Sequence, residues 1–188
     1  PHHVWILPWA EKHIPQAVQT IQHEYPNDIV STADVYAPSS IEEGNPYAEG
    51  HYTDPWGCVF ENVQPGVIGE VKQPLLEDLE HVRAFSPPYE ILPADDNRAV
   101  EQINRFCAST DKFVLPNGFA RPWERYQFLR GTQNAMMDMM MPDANVERLF
   151  HKIRDFYLKE LEFWVKTDVD GIFFMDDWGT QDQLLIPP

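Results

Sequence analysis

Two adjacent carboxylates near the carboxyl end of the chain are the side chains best placed for chemistry. Asp176 and Asp177 follow Val169–Met175, a mostly apolar run with the composition of a buried strand. A charge beside apolar neighbours is costly unless it binds a partner, and ligands of α/β folds collect at the carboxyl ends of parallel strands. We therefore expect Asp177 to act in catalysis and Asp176 to contact a substrate. The alternative is that they cap a backbone turn or a following helix.

Further polar candidates follow two earlier predicted strands. Asp34 comes near the end of a strand predicted over residues 28–36, where it either contacts a ligand or caps a loop. Arg121 and Arg125 come after a strand predicted at residues 113–115. In an acidic chain these two arginines are the best local anion clamp, and surface ion pairs are the alternative.

The composition excludes several classes of function. The chain has 188 residues, of which 43% are hydrophobic, so it can form a globular core. Lys and Arg number 14 against 30 Asp and Glu, which gives a net charge of 14 − 30 = −16 and disfavours nucleic acids and anionic membranes as partners.

No apolar run approaches the roughly 20 residues of a membrane span. Cys58 and Cys107 lack metal-ligand spacing, so two reduced thiols and a cytoplasmic location are expected.

The elements that must position these side chains alternate between strand and helix. Apolar runs of strand length are separated by stretches of helical periodicity, which favours parallel βα units. The predicted strands are Val4–Leu7, 28–36, Phe113–Leu115 and Val169–Met175. The predicted helices begin at Pro15, at Asp95 or Asp96, at Trp123, at Thr132 after a break at Gly131, and at Pro142-Asp143.

Residues 36–95 differ in character, because Pro, Gly and aromatic residues replace the regular alternation. We interpret them as an insertion or lid on the rim of the fold. Within them, Cys58–Phe60 and Val67–Gly69 flank Gln64–Gly66 in the manner of a β-hairpin. Asp54, followed by Pro, Trp and Gly, favours an Asx-type turn over a catalytic acid.

Four strands in βα order predict the amino-terminal half of a (β/α)8 barrel, since a closed barrel has eight strands and about 250 residues. A half barrel leaves an open sheet edge and an uncovered apolar face. We therefore expect the chain to be soluble only with its other half, with a partner copy, or after repacking. A monodisperse monomer of this chain that melts cooperatively would contradict that expectation.

One segment carries a resemblance to a known family. Residues 113–123 read FVLPNGFARPW and are followed by the helix that closes with Leu129-Arg130-Gly131. This segment resembles the strand, glycine-rich loop and helix of the uroporphyrinogen decarboxylase superfamily, which also contains corrinoid-dependent methyltransferases. The resemblance implies a (β/α)8 barrel with its site at the carboxyl-terminal mouth.

The resemblance also implies roles for individual residues. Asp34 falls where decarboxylases keep the aspartate that cradles the pyrrole nitrogens of the substrate, and Asp176-Asp177 fall at another substrate contact. Phe119 in the loop and Tyr126 in the following helix are the remaining expected substrate contacts. The family further implies homodimers that pair over their active-site mouths.

The amino-terminal region departs from the family pattern. Decarboxylases carry an arginine-rich run that holds the acidic side chains of the substrate, whereas Pro8 and Lys12 stand at the arginine positions here. Each missing bidentate arginine contact forfeits about 1.5–3 kcal/mol. We therefore expect the substrate not to be uroporphyrinogen. His51–Gly57 resembles an uncharacterised branch nearer the methyltransferases.

Three hypotheses about function follow. The first is a methyltransferase with a corrinoid protein as partner, whose zinc ligands would lie beyond Pro188 and not within this chain. The second is a cofactor-free decarboxylase of a smaller acid, in which Asp34 stabilises developing positive charge and Arg121 or Lys12 holds a carboxylate. The third is a non-catalytic binding module or fragment, which predicts no stabilisation by tetrapyrroles, thiols or corrinoids.

Overall fold

The computed structural model describes residues 2–94, 97–118, 120–141 and 143–185. Over these residues the protein is a mixed α/β structure, which confirms the predicted class at that level. The helices are α1 (Pro8–His13), α2 (Pro15–Glu24), α3 (Asn97–Ala108), α4 (Pro122–Arg130), α5 (Thr132–Met140) and α6 (Ala144–Trp164). The strands are β1 (Ile29–Ser31), β2 (Gly50–Thr53), β3 (Val59–Asn62), β4 (Glu70–Val71) and β5 (Phe113–Leu115). Short 3-10 helices span Leu79–Arg83 and Tyr89–Ile91.

Three parallel segments set the geometry of the fold. Strand β1 pairs in parallel with β5. On the other side of β5, the backbone N–H of Asp170 donates to the carbonyl of Val114 at 2.9 Å, and Ala120 forms an isolated parallel bridge with Phe174. The order β1, β5, 169–175 therefore brings the carboxyl ends of the three segments to one edge.

The predicted first strand is wrong, and the second is shorter than predicted. The predicted fourth strand, Val169–Met175, is also wrong as a buried regular strand, because it forms only an isolated bridge at Phe174 and leaves Phe173 and Phe174 exposed. Val4–Leu7 has no regular structure, and the N–H of Val4 donates instead to the side-chain oxygen of Asn27 at 2.8 Å. Strand β1 ends at Ser31, because the chain then enters a turn in which the N–H of Tyr36 donates to Oδ1 of Asp34 at 3.0 Å. Local side-chain acceptors have replaced strand partners in both places.

The helices largely match the sequence prediction. Pro15 is the first residue of α2, and Asp143 caps α6 by accepting from the N–H of Asn145 at 2.7 Å. Gly131 separates α4 from α5 with a φ of 77°, and a Cβ there would lie 2.7 Å from Pro74. The predicted capping residues of α3, Asp95 and Asp96, lie outside the described residues. No helix in the described ranges has both the length and the apolar character needed to cross a bilayer.

The insertion contains an antiparallel sheet with the order β2, β3, β4. The predicted hairpin is present, but Phe60 of β3 pairs with Val71, so the return strand begins at Glu70 and not at Val67. The loop between β3 and β4 is longer than predicted because the side chain of Asn62 forms hydrogen bonds with the backbone groups of that loop. The Asn62 amide donates to the carbonyl of Val67 at 2.6 Å, and its oxygen accepts from the N–H of Gln64 at 3.0 Å.

The insertion and helices α4 to α6 share one hydrophobic core. The insertion contributes Trp56, Cys58, Phe60, Leu76 and Val82, and the helices contribute residues that include Trp123, Tyr126, Leu129, Leu149, Ile153 and Phe156. The region predicted as an insertion therefore contributes to the core.

A buried ion pair ties the insertion to α4. Asp54 Oδ1 accepts from the N–H groups of Trp56 at 3.0 Å and Cys58 at 2.8 Å, which confirms the predicted Asx turn. Its other oxygen accepts from Nη1 of Arg125, and each side chain of the pair is only 6% exposed. The guanidinium also lies 4.7 Å from the centroid of the Trp56 ring. Both charges are almost fully removed from water, so each is stable in the core only with the other as its counter-ion.

The Asp54→Asn substitution tests this pair, because Asn keeps the acceptor of the turn and removes only the charge. We expect the free energy of unfolding in urea to fall by about 3–5 kcal/mol, since Arg125 would remain buried without its counter-ion. The matched control is Asp155→Asn, which removes an exposed pair with Arg154 and should cost less than about 1 kcal/mol. Equal effects of the two substitutions would contradict the account.

Candidate functional site

The carboxyl ends of the three parallel segments form a continuous surface, which we call the carboxyl edge. It comprises residues 32–36, 116–118, 120–121 and 175–177. Oγ1 of Thr32 accepts from the N–H of Asn117 at 3.0 Å, and the N–H of Met175 donates to the carbonyl of Ala120 at 3.0 Å. These two bonds join the loop after β5 to the ends of both neighbouring segments.

Two of the predicted acids are exposed on this edge. Asp34 uses Oδ1 for the turn with Tyr36, and Asp177 uses Oδ1 to accept from the N–H of Gly179 at 3.2 Å. Within the described part of the chain, Oδ2 of each makes no hydrogen bond to the protein. Both carboxylates therefore cap turns and still present an oxygen to a ligand.

Asp176 holds the amino terminus of α4. Its Oδ2 accepts from the N–H of Trp123 at 3.0 Å and its Oδ1 from the N–H of Glu124 at 2.9 Å. Arg121, the residue before the helix, makes no side-chain capping bond, so the Asp176 carboxylate satisfies first-turn N–H donors that have no acceptor within the helix. Asp176 is therefore a helix cap, as the alternative reading of the sequence predicted. The helix that it caps is α4, whose first turn lies 53 residues earlier in the chain and not after it.

The two arginines proposed as an anion clamp have different environments. Arg121 is a quarter exposed at the edge, where Nη1 donates to Oε2 of Glu124 at 3.1 Å. Arg125 is buried and neutralised by Asp54. Lys12 lies exposed on α1, a helix held to the insertion by a bond from the N–H of Trp9 to a loop carbonyl. Arg121 is therefore the predicted cation that the structure places on the edge.

Tyr126 and Phe119 complete the predicted contacts. Tyr126 is fully buried, and its hydroxyl donates to Oδ2 of Asp138 at 2.6 Å. Asp138 also accepts from Nε of Arg130 at 2.7 Å, so Tyr126 belongs to a buried network between α4 and α5. Burial, together with the bond to Asp138, raises the pKa of Tyr126. Phe119 lies outside the described residues.

Sequence reasoning missed a buried acid at this edge. Glu160 on α6 is 8% exposed, and the hydroxyl of Tyr36 donates to its Oε1 at 2.5 Å. Burial raises the pKa of Glu160, and the Tyr36 bond offsets only part of that effect. The available signal was an acid at a core position of the helix, between Phe156 and Trp164.

Tyr157 connects this acid to the arginines. Its hydroxyl is buried, which raises its pKa, and the charges of Arg125 and Arg121 oppose that rise while Glu160 adds to it. The buried acid and the exposed arginine therefore act on one and the same hydroxyl.

The opposite, amino-terminal edge holds open cavities. One of about 600 Å³ is lined by residues that include His3, Tyr25 and Lys112. Another is lined by Asp28, Asp111, Lys112, Phe113 and Asp170. Asp34, Asp177 and the partly exposed Arg121 lie instead at the carboxyl edge, the end at which parallel strands of α/β folds bind ligands.

No arrangement of three or more His, Cys, Asp or Glu side chains suited to a metal ion occurs in the part of the chain that the structure describes.

Comparison with protein-family models, with curated proteins and with solved structures found no match.

The role of Asp176 as a cap gives a stability prediction. Asp176→Ala should lower the free energy of unfolding by about 1 kcal/mol, because two helix N–H groups lose their acceptor. Asp177→Ala, the adjacent control, should change it by less than about 0.5 kcal/mol, because an exposed turn is affected. Chemical denaturation of both variants measures the difference, and an equal loss would mean that Asp176 is not the cap of α4.

Proposed function

We propose that this protein is a uroporphyrinogen decarboxylase-like lyase that acts on a carboxylic acid smaller than uroporphyrinogen. In this proposal the chain corresponds to the amino-terminal half of a (β/α)8 barrel, with residues 36–95 as an insertion after β1. One observation carries it. Three parallel segments in the order β1, β5, 169–175 present Asp34, Arg121 and Asp177 on their shared carboxyl edge.

The side chains match what decarboxylation needs. The substrate carboxylate must be held, and Arg121 can do so by exchanging its bond to Glu124 for a charge-assisted bond to the ligand. The C–C bond then breaks and leaves its electron pair on carbon. A pyrrole ring that has first taken a proton from water can accept this pair, and the exposed carboxylates of Asp34 and Asp177 would stabilise the ring cation before the bond breaks. The ring returns its proton to water after the substrate carbon has been protonated.

Charge argues for a small acid. The protein carries a net charge of −16, and Arg125, one of the two arginines predicted here, is neutralised inside the core. A ligand with eight carboxylates would meet a strongly acidic protein at this edge, whereas an acid with one or two carboxylates requires only Arg121.

The test uses the full-length protein with carboxyl-labelled acids whose carbanions are stabilised by a ring or carbonyl, namely pyrrole-2-acetate, phenylacetate and malonate. Release of labelled CO2 is measured together with bound zinc. Release without zinc supports the lyase. Stoichiometric zinc without release from any of the three would favour the methyltransferase hypothesis and contradict the proposal.

Asp34→Asn is the decisive variant, because Asn retains the Oδ1 acceptor for Tyr36 and removes only the charge. We expect CO2 release from pyrrole-2-acetate to fall about 100-fold with the melting temperature unchanged, because only this acid forms a ring cation. Asp78→Asn is the matched control, since Asp78 makes the same kind of bond to the N–H of Glu80 at 2.9 Å on the insertion. Wild-type turnover in Asp34→Asn would reject the role of Asp34.

A further inference from the structure

We propose that Glu160 and Tyr36 form a proton-holding pair at the carboxyl edge, and that Glu160 is the acid that supplies the proton which replaces CO2. The second part rests on the proposed function, whereas the first part does not.

The geometry of the pair is specific. Tyr36 lies in the loop after β1, and Glu160 lies 124 residues later on α6, yet their oxygens are 2.5 Å apart. Nε1 of Trp164 donates to the same tyrosine oxygen at 3.2 Å. Gly118 lies against the hydroxyl, since a Cβ at that position would be 2.4 Å from the tyrosine oxygen. The hydroxyl is thus held between α6 and the loop that leads to Arg121.

The surroundings favour the neutral form of Glu160. Among the described residues it has no ion pair, and its one hydrogen-bond partner is Tyr36. Tyr157 on the same helix contributes a neutral hydroxyl, and the charges of Arg121 and Arg125 from α4 act on that hydroxyl. Asp34, beside Tyr36, adds negative charge that raises the pKa of the tyrosine further, after burial and Glu160 itself. A buried carboxyl group with no cation at hydrogen-bond distance holds its proton more tightly than a solvated one.

In the proposed step a proton passes from Glu160 through Tyr36 to the substrate carbon. When Glu160 is protonated, its O–H and the Trp164 N–H can occupy the two acceptor sites of the Tyr36 oxygen, so the Tyr36 O–H is released from Glu160. Loss of CO2 leaves an electron pair on the substrate carbon. The Tyr36 proton passes to that carbon, and the Glu160 proton passes to the Tyr36 oxygen. Glu160 is then a carboxylate that accepts from Tyr36, and it regains a proton from water.

The first test measures the proton directly. Infrared difference spectra of wild type minus Glu160→Gln at pH 7 should show the carbonyl stretch of a protonated carboxylic acid. Glu162→Gln is the matched control on the same helix, where Glu162 is exposed and paired with Lys159, and it should show only a carboxylate. Absence of the protonated band at pH 7 overturns the inference, whatever the protein's activity.

Stability against pH gives an independent readout. The pKa of Glu160 is higher in the folded state than in the unfolded state. Proton binding to Glu160 therefore contributes fully to the free energy of unfolding below the ordinary pKa of about 4.3, and this contribution is lost as pH rises through the folded-state pKa. The wild type should therefore lose stability relative to Glu160→Gln over that range. Parallel pH profiles of the two proteins would overturn the inference.

The second test separates the inference from the proposed function. With an acid that the wild type decarboxylates, Glu160→Gln and Tyr36→Phe should each lower kcat about 100-fold while KM changes little, because proton donation is lost and binding is not. Unchanged kcat would overturn the role of Glu160 and leave the lyase assignment intact. If the wild type decarboxylates none of the three acids, the proposed function fails, and the infrared and pH results alone decide whether the pair holds a proton.

Discussion

The buried ion pair between Asp54 and Arg125 is the contact on which the rest of the structure depends. It joins a turn of the insertion to the middle of α4, and neither charge could remain inside the core alone. Helix α4 is fixed a second time at its amino terminus, where Asp176 reaches back from the end of the last parallel segment. Arg121, which is a quarter exposed, lies directly before this helix. Its position is therefore set by contacts from two distant parts of the chain.

Three of the acids that the structure describes are buried, and they differ in the partner that each carboxyl group has. Asp54 is paired with Arg125, and Asp138 with Arg130, in each case by a guanidinium at hydrogen-bond distance. Glu160 receives only the hydroxyl of Tyr36. The first two acids connect elements of the core, whereas Glu160 adjoins the carboxyl edge. This contrast marks Glu160 as an acid whose protonation can change while the core stays intact.

Local sequence patterns were enough to predict much of the fold, and they failed where distant contacts decide. Periodicity identified α6, and Gly131 with its positive φ marked the break between α4 and α5. The Asx turn at Asp54 depends on neighbouring residues and was predicted. Its partner Arg125 lies 71 residues away and was expected to clamp an anion or to form a surface ion pair, not to pair with Asp54 in the core. Asp176 as the cap of α4 and Tyr36 as the partner of Glu160 were equally beyond local reasoning, because each requires knowledge of which segments pack together.

The central claim is that ligands bind at the carboxyl edge, and a titration of the isotope-labelled full-length protein with malonate, followed by backbone amide NMR, tests it most directly. The account predicts that the largest shifts fall on residues 32–36 and 117–124, which surround Arg121 and Tyr36. It also predicts that an Arg121→Gln variant, which removes the cation, loses these shifts. Shifts confined to the opposite edge, around Tyr25 and Lys112, or identical shifts in the variant, would contradict the account.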